Sequence, residues 1–163
     1  MSLHQGEIEN TAKARTPRDV TGDGPPFVIL KDGTWTHGGV KIERVALARL
    51  FASILYREAD GSYWLKNPAE ICRVTVEDVP YVASHMREEG GDILITTTLD
   101  ETVRIDADHP LTVQGGIPYI DIRHGCRARA STQLYYGLTR LAETRDGRAY
   151  ITSGGQSFDL GAL

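Results

Sequence analysis

Apolar and polar positions along this chain mostly alternate with the period of two expected of strands, and a helical period replaces it in two places. "FVILKDG" (27–33) reads as a short buried strand entering a turn at Asp32-Gly33, and "TWTHGGVKI" (34–42) as the strand that follows. From Glu43 onward Leu47, Leu50, Phe51, Ile54 and Leu55 recur at i, i+3, i+4, i+7 and i+8, which predicts one apolar stripe on a helix of roughly four turns. "EADGSYWLKNP" (58–68) ends that helix at Asp60-Gly61 and opens a strand through Tyr63, Trp64 and Leu65, stopped by Pro68.

Beyond Pro68, "EICRVTV", "YVASHM", "DILITTT", "TVRI" and "PLTV" predict a run of short strands joined as consecutive hairpins. "YIDIR" and "RARA" follow. A second helix is expected from about Thr132 to Glu143, with Leu134, Leu138 and Leu141 on one face, and "AYITS" and "SFDLG" close the chain as strands. Residues 1–25 mix charge, Thr, Gly and Pro without sustained periodicity. They read as a flexible or loosely packed arm, the alternative being a docked helix around Ile8 to Ala14.

The two halves share an order of elements. A shift of 86 residues sets Gly39 on Gly125, Lys41 on Arg127, Leu55 on Leu141 and Asp60-Gly61 on Asp146-Gly147. The recurring order is basic strand, helix, Asp-Gly turn, aromatic strand. It predicts an α+β fold of two β-rich lobes, 26–84 and 85–163, each carrying one helix and related by internal duplication.

Composition changes this picture only modestly. At 163 residues, 40% apolar and 25% charged, the chain is long enough to bury a sizeable core as one large domain or two tightly associated ones. No apolar run approaches the roughly 18 to 20 residues of a membrane helix, so no membrane association is expected. The amino terminus shows no hydrophobic leader, and Cys72 and Cys126 form no CxxC pair. Both observations suit a cytoplasmic protein with reduced, buried thiols.

The net charge of −4 hides an asymmetry: residues 58–109 balance to −8 and residues 110–163 to +2. That positive excess is too small for duplex nucleic acid and suits a small anionic partner instead.

The positive charge concentrates in "YIDIRHGCRARAS" (119–131). A two-residue turn at His124-Gly125 would oppose Arg123 to Cys126 and Ile122 to Arg127, mixing arginines with isoleucines on one face. A three-residue loop over 124–126 would oppose Arg123 to Arg127 and Asp121 to Arg129, and would gather Ile120, Ile122, Ala128 and Ala130 on a clean apolar face. The second register is the one expected from burial. It makes Asp121–Arg129 an ion pair and leaves Arg123 and Arg127 as opposed like charges, which a bound anion or a carboxylate elsewhere in the fold would relieve. A solvated basic face neutralised by the acidic middle segment is the alternative.

Other candidate chemistry is thin. "DADHPL" sets Asp106, Asp108 and His109 within four residues, and a metal-dependent hydrolase could be built on them. No second cluster completes a coordination shell, and His109 before Pro110 suits a turn or a hydrogen-bonding rim. In "VTVEDVPY" the adjacent Glu77 and Asp78 point to opposite faces, so they suit a strand exit with one carboxylate held by an arginine rather than an acid–base pair. GxSxG, HExxH, Walker A and dinucleotide fingerprints are absent, and neither cofactor nor metal is expected.

Taken together, "KDGTW", "LARLFASILYREADGSYWLKNPAE", "VTVEDVPY", "DADHPL" and "PYIDIRHG" resemble a bacterial family catalogued as domain of unknown function 1285, from about Ile29 to the carboxyl terminus. The resemblance implies a two-lobed α+β fold built by duplication, with a pleckstrin-homology-like carboxyl-terminal lobe. It also implies a small-ligand site between the lobes, nucleotide-like molecules included, and a role in signalling. No catalytic activity comes with it.

The expectation is therefore a non-enzymatic module that binds an anionic small molecule against Arg123 and Arg127, with Lys41, Tyr119 and His109 as further contacts. A protein-interaction adaptor using the same arginines is the second reading, and the metal-dependent hydrolase the third.

Overall fold

The structure is a computed structural model and describes residues 16–162. Residues 1–15 of the expected arm, with the alternative helix at Ile8 to Ala14, lie outside the described residues. The arm's end is not loose. β1 (Arg18–Asp19) pairs in parallel with β7 (Glu70–Val76).

The first sheet also holds β2 (Phe27–Ile29), β3 (Trp35–His37), β4 (Val40–Lys41), β5 (Leu55–Arg57) and β6 (Tyr63–Lys66), in the order β4-β3-β2-β7-β6-β5. The second holds β8 (Tyr81–Glu89), β9 (Asp92–Thr97), β10 (Thr102–Arg104), β11 (Leu111–Gln114), β12 (Ile117–Arg123) and β13 (Cys126–Ala130), in the order β10-β9-β8-β13-β12-β11. A third sheet is the meander β14 (Glu143–Arg145), β15 (Arg148–Ser153) and β16 (Gln156–Ala162). Helix α1 (Val45–Ser53) precedes β5, and α2 (Thr132–Leu141) precedes β14.

The described chain is thus a succession of antiparallel three-stranded meanders. In each of the two larger sheets, the first strand of one meander lies parallel to the last strand of the next: β2 with β7, and β8 with β13. β11 lies beside β16 in the same first-to-last relation. At an offset of 86, the series β2-β3-β4-α1-β5-β6-β7 falls on β11-β12-β13-α2-β14-β15-β16.

Several elements differ from the sequence expectation. "TWTHGGVKI" is a hairpin of β3 and β4 rather than one strand. Helix α1 ends at Ser53, and Leu55 belongs to β5, fully buried. The buried side of α1 is Ala48 and Ala52, with Phe51 half-buried against Phe27 and Trp35, whereas Leu50 is 62% exposed. Small side chains let the helix backbone approach the core closely, and that approach turns Leu47 and Leu50 outward. Helix α2 follows the expectation more closely: Ser131 caps it by accepting the Leu134 N–H at 3.1 Å, and Leu134 and Leu138 are buried beneath it.

The β12–β13 hairpin resolves the register question in a third way. Its turn is the two-residue one, with φ of 53° at His124 and 78° at Gly125, the left-handed pair of a type I′ turn. The ladder runs Arg123↔Cys126, Asp121↔Arg127, Ile120↔Ala128 and Tyr119↔Arg129, with one extra residue, Ile122, bulged from β12. The bulge shifts the pleat by one position. It keeps Ile120, Ile122, Cys126, Ala128 and Ala130 together in the core, while Arg127 and Arg129 face the other way. The expected apolar face is present. The expected pairs Arg123 with Arg127 and Asp121 with Arg129 are not, because the two-residue turn and the bulge each shift the register by one position, which sets Arg127 opposite Asp121 and Arg129 opposite Tyr119.

A contiguous buried core spans all three sheets, from Ile29, Trp35 and Leu55 through Ile95, Ile120 and Leu134 to Ile151 and Phe158. Ser153, fully buried, joins the third sheet to the second by accepting the Ile93 N–H at 2.8 Å. Between the first two sheets, the Arg57 N–H donates to the His124 carbonyl at 2.9 Å and the Tyr56 and His124 rings stack at 4.0 Å. At Gly33 (φ 88°) an added Cβ would stand 3.1 Å from Thr98 Oγ1 and 3.4 Å from Val82 Cγ2. Only glycine permits that turn at that approach.

These placements predict opposite outcomes for two leucines. Leu138→Ala should destabilise by about 2–5 kcal/mol, and Leu50→Ser should change stability by less than about 0.5 kcal/mol, as read from urea denaturation midpoints.

Candidate functional site

The side chains on the outward face of β12–β13 contact one another and the first lobe. The Arg127 guanidinium lies 4.5 Å from the centre of the Tyr119 ring. Tyr119 is 8% exposed, and its hydroxyl donates a long bond of 3.3 Å to Asp78. Burial first, and then the Asp78 charge, raise the Tyr119 phenol above its ordinary value. Asp78 also stands 3.4 Å from Arg129 Nε, an ion pair by distance although not aligned as a hydrogen bond. Arg129 Nη2 donates to the Lys31 carbonyl at 2.7 Å. Glu77, on the other side of the strand exit, accepts the Lys31 N–H at 2.8 Å. One of the adjacent carboxylates is therefore held by an arginine, as expected; Asp78 thereby ties the first lobe to Arg129 of the second, while Glu77 closes a contact within the first lobe.

Arg123 points elsewhere, onto Glu101 in the β9–β10 turn. Two nitrogens of the guanidinium donate to the two oxygens of that carboxylate, one of them at 3.2 Å. The turn is held rigidly: Thr97 Oγ1 accepts the Leu99 and Glu101 N–H groups at 3.2 and 3.4 Å, and the Thr97 N–H donates to the Glu101 carbonyl at 2.8 Å. Glu101 is 8% exposed and Arg123 is 35% exposed, so the pair is sealed on the carboxylate side and open on the arginine side. Behind it Tyr81 is fully buried, its phenol held well above the usual range by burial and then by the Glu101 charge.

The open side of Arg123 faces a groove between the lobes of about 500 Å³. Helix α1 supplies Ala46, Arg49 and Leu50 to it, and the β9–β10 turn supplies Asp100 and Glu101. Arg49 has no carboxylate within ion-pair distance among the described residues. On the other flank of the same turn lies a smaller cavity of about 230 Å³, between the Asp32–Thr34 turn, Trp35, Lys41, Val45 and Leu99. Trp35 is 2% exposed, and its indole N–H is buried without an acceptor among the described residues. Leaving such a donor unmatched costs about 1–3 kcal/mol.

The five residues expected to form one site are thus divided. Arg123 and Lys41 line the two interlobe depressions that flank residues 98–102, whereas Tyr119 and Arg127 occupy the outward sheet face. His109 Nδ1 lies 3.0 Å from the Asp121 carbonyl, and the His109 N–H donates to Asp106 Oδ1 at 2.9 Å. The same Asp106 oxygen accepts the Asp108 N–H at 2.9 Å, so "DADH" is a turn closed on its own backbone. Among the described residues no three His, Cys, Asp or Glu side chains come together as a group able to hold a metal ion. No helix there is long and apolar enough to cross a membrane.

Sequence reasoning missed Arg49 and Trp35. A lone cation inside the apolar run "VALARLFAS" was the available signal for Arg49. Nothing local could show that the Trp35 N–H lacks a partner.

An α+β protein of β-rich lobes with an arginine-lined groove between them is the class that fold and site define. The chain belongs to the DUF1285 family: the N-terminal domain of that domain of unknown function matches residues 19–79, and its C-terminal domain matches residues 80–160. A crystal structure of a DUF1285 family protein from Silicibacter pomeroyi DSS-3 is similar, with 29% identity and a TM-score of 0.77 over 91% of this chain and 85% of that one. Another, from Shewanella baltica OS155, has 27% identity and a TM-score of 0.63 over 71% of this chain and 91% of that one. No curated protein matches.

Two predictions follow from this geometry. Arg123→Met leaves Glu101 buried without its counter-charge and should destabilise by about 3 kcal/mol in urea denaturation, with much of the loss recovered in Arg123→Met plus Glu101→Leu. Cys126 is 1% exposed and its Sγ lies 3.6 Å from the Leu55 carbonyl; burial pushes its thiol up to about 12. Because the folded value lies above the unfolded one, the contribution is intact below the ordinary thiol value of 9.0 and is lost as pH rises toward about 12. Stability should fall across that window by up to about 1.4 kcal/mol per pH unit, and Cys126→Ala should flatten the slope.

Proposed function

We propose that this protein is a non-enzymatic binding module for an anionic small molecule, nucleotide-like ligands included, held in the groove between α1 and the β9–β10 turn. The carrying observation is the pair of guanidinium groups in that groove, Arg49 without a described carboxylate partner and Arg123 open to solvent on one side. A planar guanidinium offers two parallel donors to phosphate or carboxylate oxygens. The groove volume of about 500 Å³ suits a ligand of metabolite size. Arg123 is pre-oriented by Glu101, so binding need not immobilise it anew.

A role in bacterial cytoplasmic signalling extends this reading, as does an origin of the two halves in one duplicated unit. The recurrence of seven elements at an offset of 86 supports that origin. The pleckstrin-homology-like character of the carboxyl-terminal lobe belongs to the same proposal.

One observation favours a second reading, a protein-interaction adaptor. Val45, Leu47 and Leu50 of α1 are exposed beside the groove, at 43%, 37% and 62%, where a partner surface would cover them.

Thermal shift against nucleotides and cyclic dinucleotides tests the first reading. A hundredfold excess over Kd should raise Tm by roughly 5–10 °C, and Arg49→Ala should abolish the shift. A panel without any shift, or a shift unchanged in Arg49→Ala, overturns it. The adaptor reading instead requires a partner that is retained in phosphate-free buffer and lost with Leu50→Asp.

A further inference from the structure

We propose that the ligand of the arginine groove is amphoteric, a small molecule whose anionic group is accompanied by a primary ammonium held by Asp100. The inference rests on the reading of that groove as an anion site and narrows the class of ligand it takes.

The charges lining the groove balance. Arg49 and Arg123 stand against Asp100 and Glu101. Glu101 and Arg123 already neutralise one another through two nitrogens and two oxygens. One cation on α1 and one anion on the β9–β10 turn remain. Neither Arg49 nor Asp100 has an ion-pair partner within 4.0 Å among the described residues, so they are not paired with each other either. A guest carrying negative charge alone would answer Arg49 and bring like charge toward Asp100, which opposes binding. A guest with separated charges of both signs answers both.

The uncharged polar groups of the groove do not compete for this role. Ser53 Oγ donates to the Leu50 carbonyl at 2.6 Å, and Thr102 Oγ1 is bonded to Thr96 Oγ1 at 2.9 Å. Asp100, by contrast, offers a free carboxylate on a fixed support. Its own N–H donates to the Thr97 carbonyl at 2.9 Å, and its neighbours Leu99 and Glu101 are 6% and 8% exposed. Its φ of 61° is left-handed, a conformation that aspartate and asparagine tolerate better than most residues. The carboxylate is therefore placed before a ligand arrives, as Arg123 is by Glu101.

Phosphoethanolamine and ethyl phosphate, which differ in the ammonium group, test the assignment. Each is titrated into the ¹⁵N-labelled full chain at neutral pH and equal ionic strength, with the amide resonances of Asp100, Glu101 and Thr102 as the readout. Phosphoethanolamine, although the less negative of the two, should bind about two- to fivefold more tightly, the usual range for one exposed ion pair. Asp100→Asn keeps a residue suited to the turn and should remove that preference, while ethyl phosphate binds as tightly as before or more so. Arg49→Ala should weaken both compounds. Equal affinity for the two, or a preference that survives in Asp100→Asn, overturns the ammonium assignment; if Arg49→Ala still weakens both, the anion reading stands without it. Affinities unchanged in Arg49→Ala overturn the assignment and the anion reading together. Absence of saturable binding by either compound overturns the assignment, and the Tm shifts with nucleotides then decide the anion reading on their own.

Discussion

The extra residue at Ile122 in the β12–β13 ladder is the constraint on which the rest of the structure depends. Without it, a two-residue turn at His124-Gly125 would place arginine and isoleucine on one face, and burial of either would be opposed by the other. With it, five apolar side chains from two strands enter the core, and the arginines leave on the opposite face. The two-residue turn sets Arg123 opposite Cys126 rather than opposite another arginine, and its side chain reaches Glu101.

Polar contacts from the β12–β13 hairpin help to build the lobe interface. Arg129 engages the Lys31 carbonyl and Asp78, and the His124 carbonyl accepts the Arg57 N–H, whereas the Arg123–Glu101 pair lies within the second lobe and borders the groove. The interface is therefore polar along its outer edges and apolar within, where Leu55, Tyr81 and Cys126 pack. A core continuous across three sheets makes the lobes interdependent rather than separately stable units. The groove is what remains where α1, held by two alanines, bridges the lobes without filling the space beside the β9–β10 turn.

Much of the secondary structure was legible because it rests on local rules. Strand alternation located β7 through β13, and the leucine spacing located α2. The failures also have local causes. Helix α1 carries apolar side chains on nearly all sides, so periodicity could not identify Ala48 and Ala52 as the packed face. Short edge strands such as β4, β5 and β14 carry too few residues to establish a period and were absorbed into neighbours. In the candidate site, Arg123 and Lys41 were legible as cations next to turns. Their separation from Tyr119, Arg127 and His109 was not, because it depends on the bulge and on which meander stacks against which.

By itself, the sequence determined the family, the α+β class, the apolar face of β12–β13 and the recurrent order of elements. Each of these is written in residue type and spacing along one segment, or in motifs taken together. Only the tertiary structure decided which charges are neutralised and which donors remain open. Glu101 meets Arg123 from 22 positions away, Asp78 meets Arg129 across the lobe boundary, and the Trp35 indole N–H meets no acceptor among the described residues. Electrostatic pairing depends on distance in space, and distance in space is set here by one bulge and by the close packing of two alanines and a glycine.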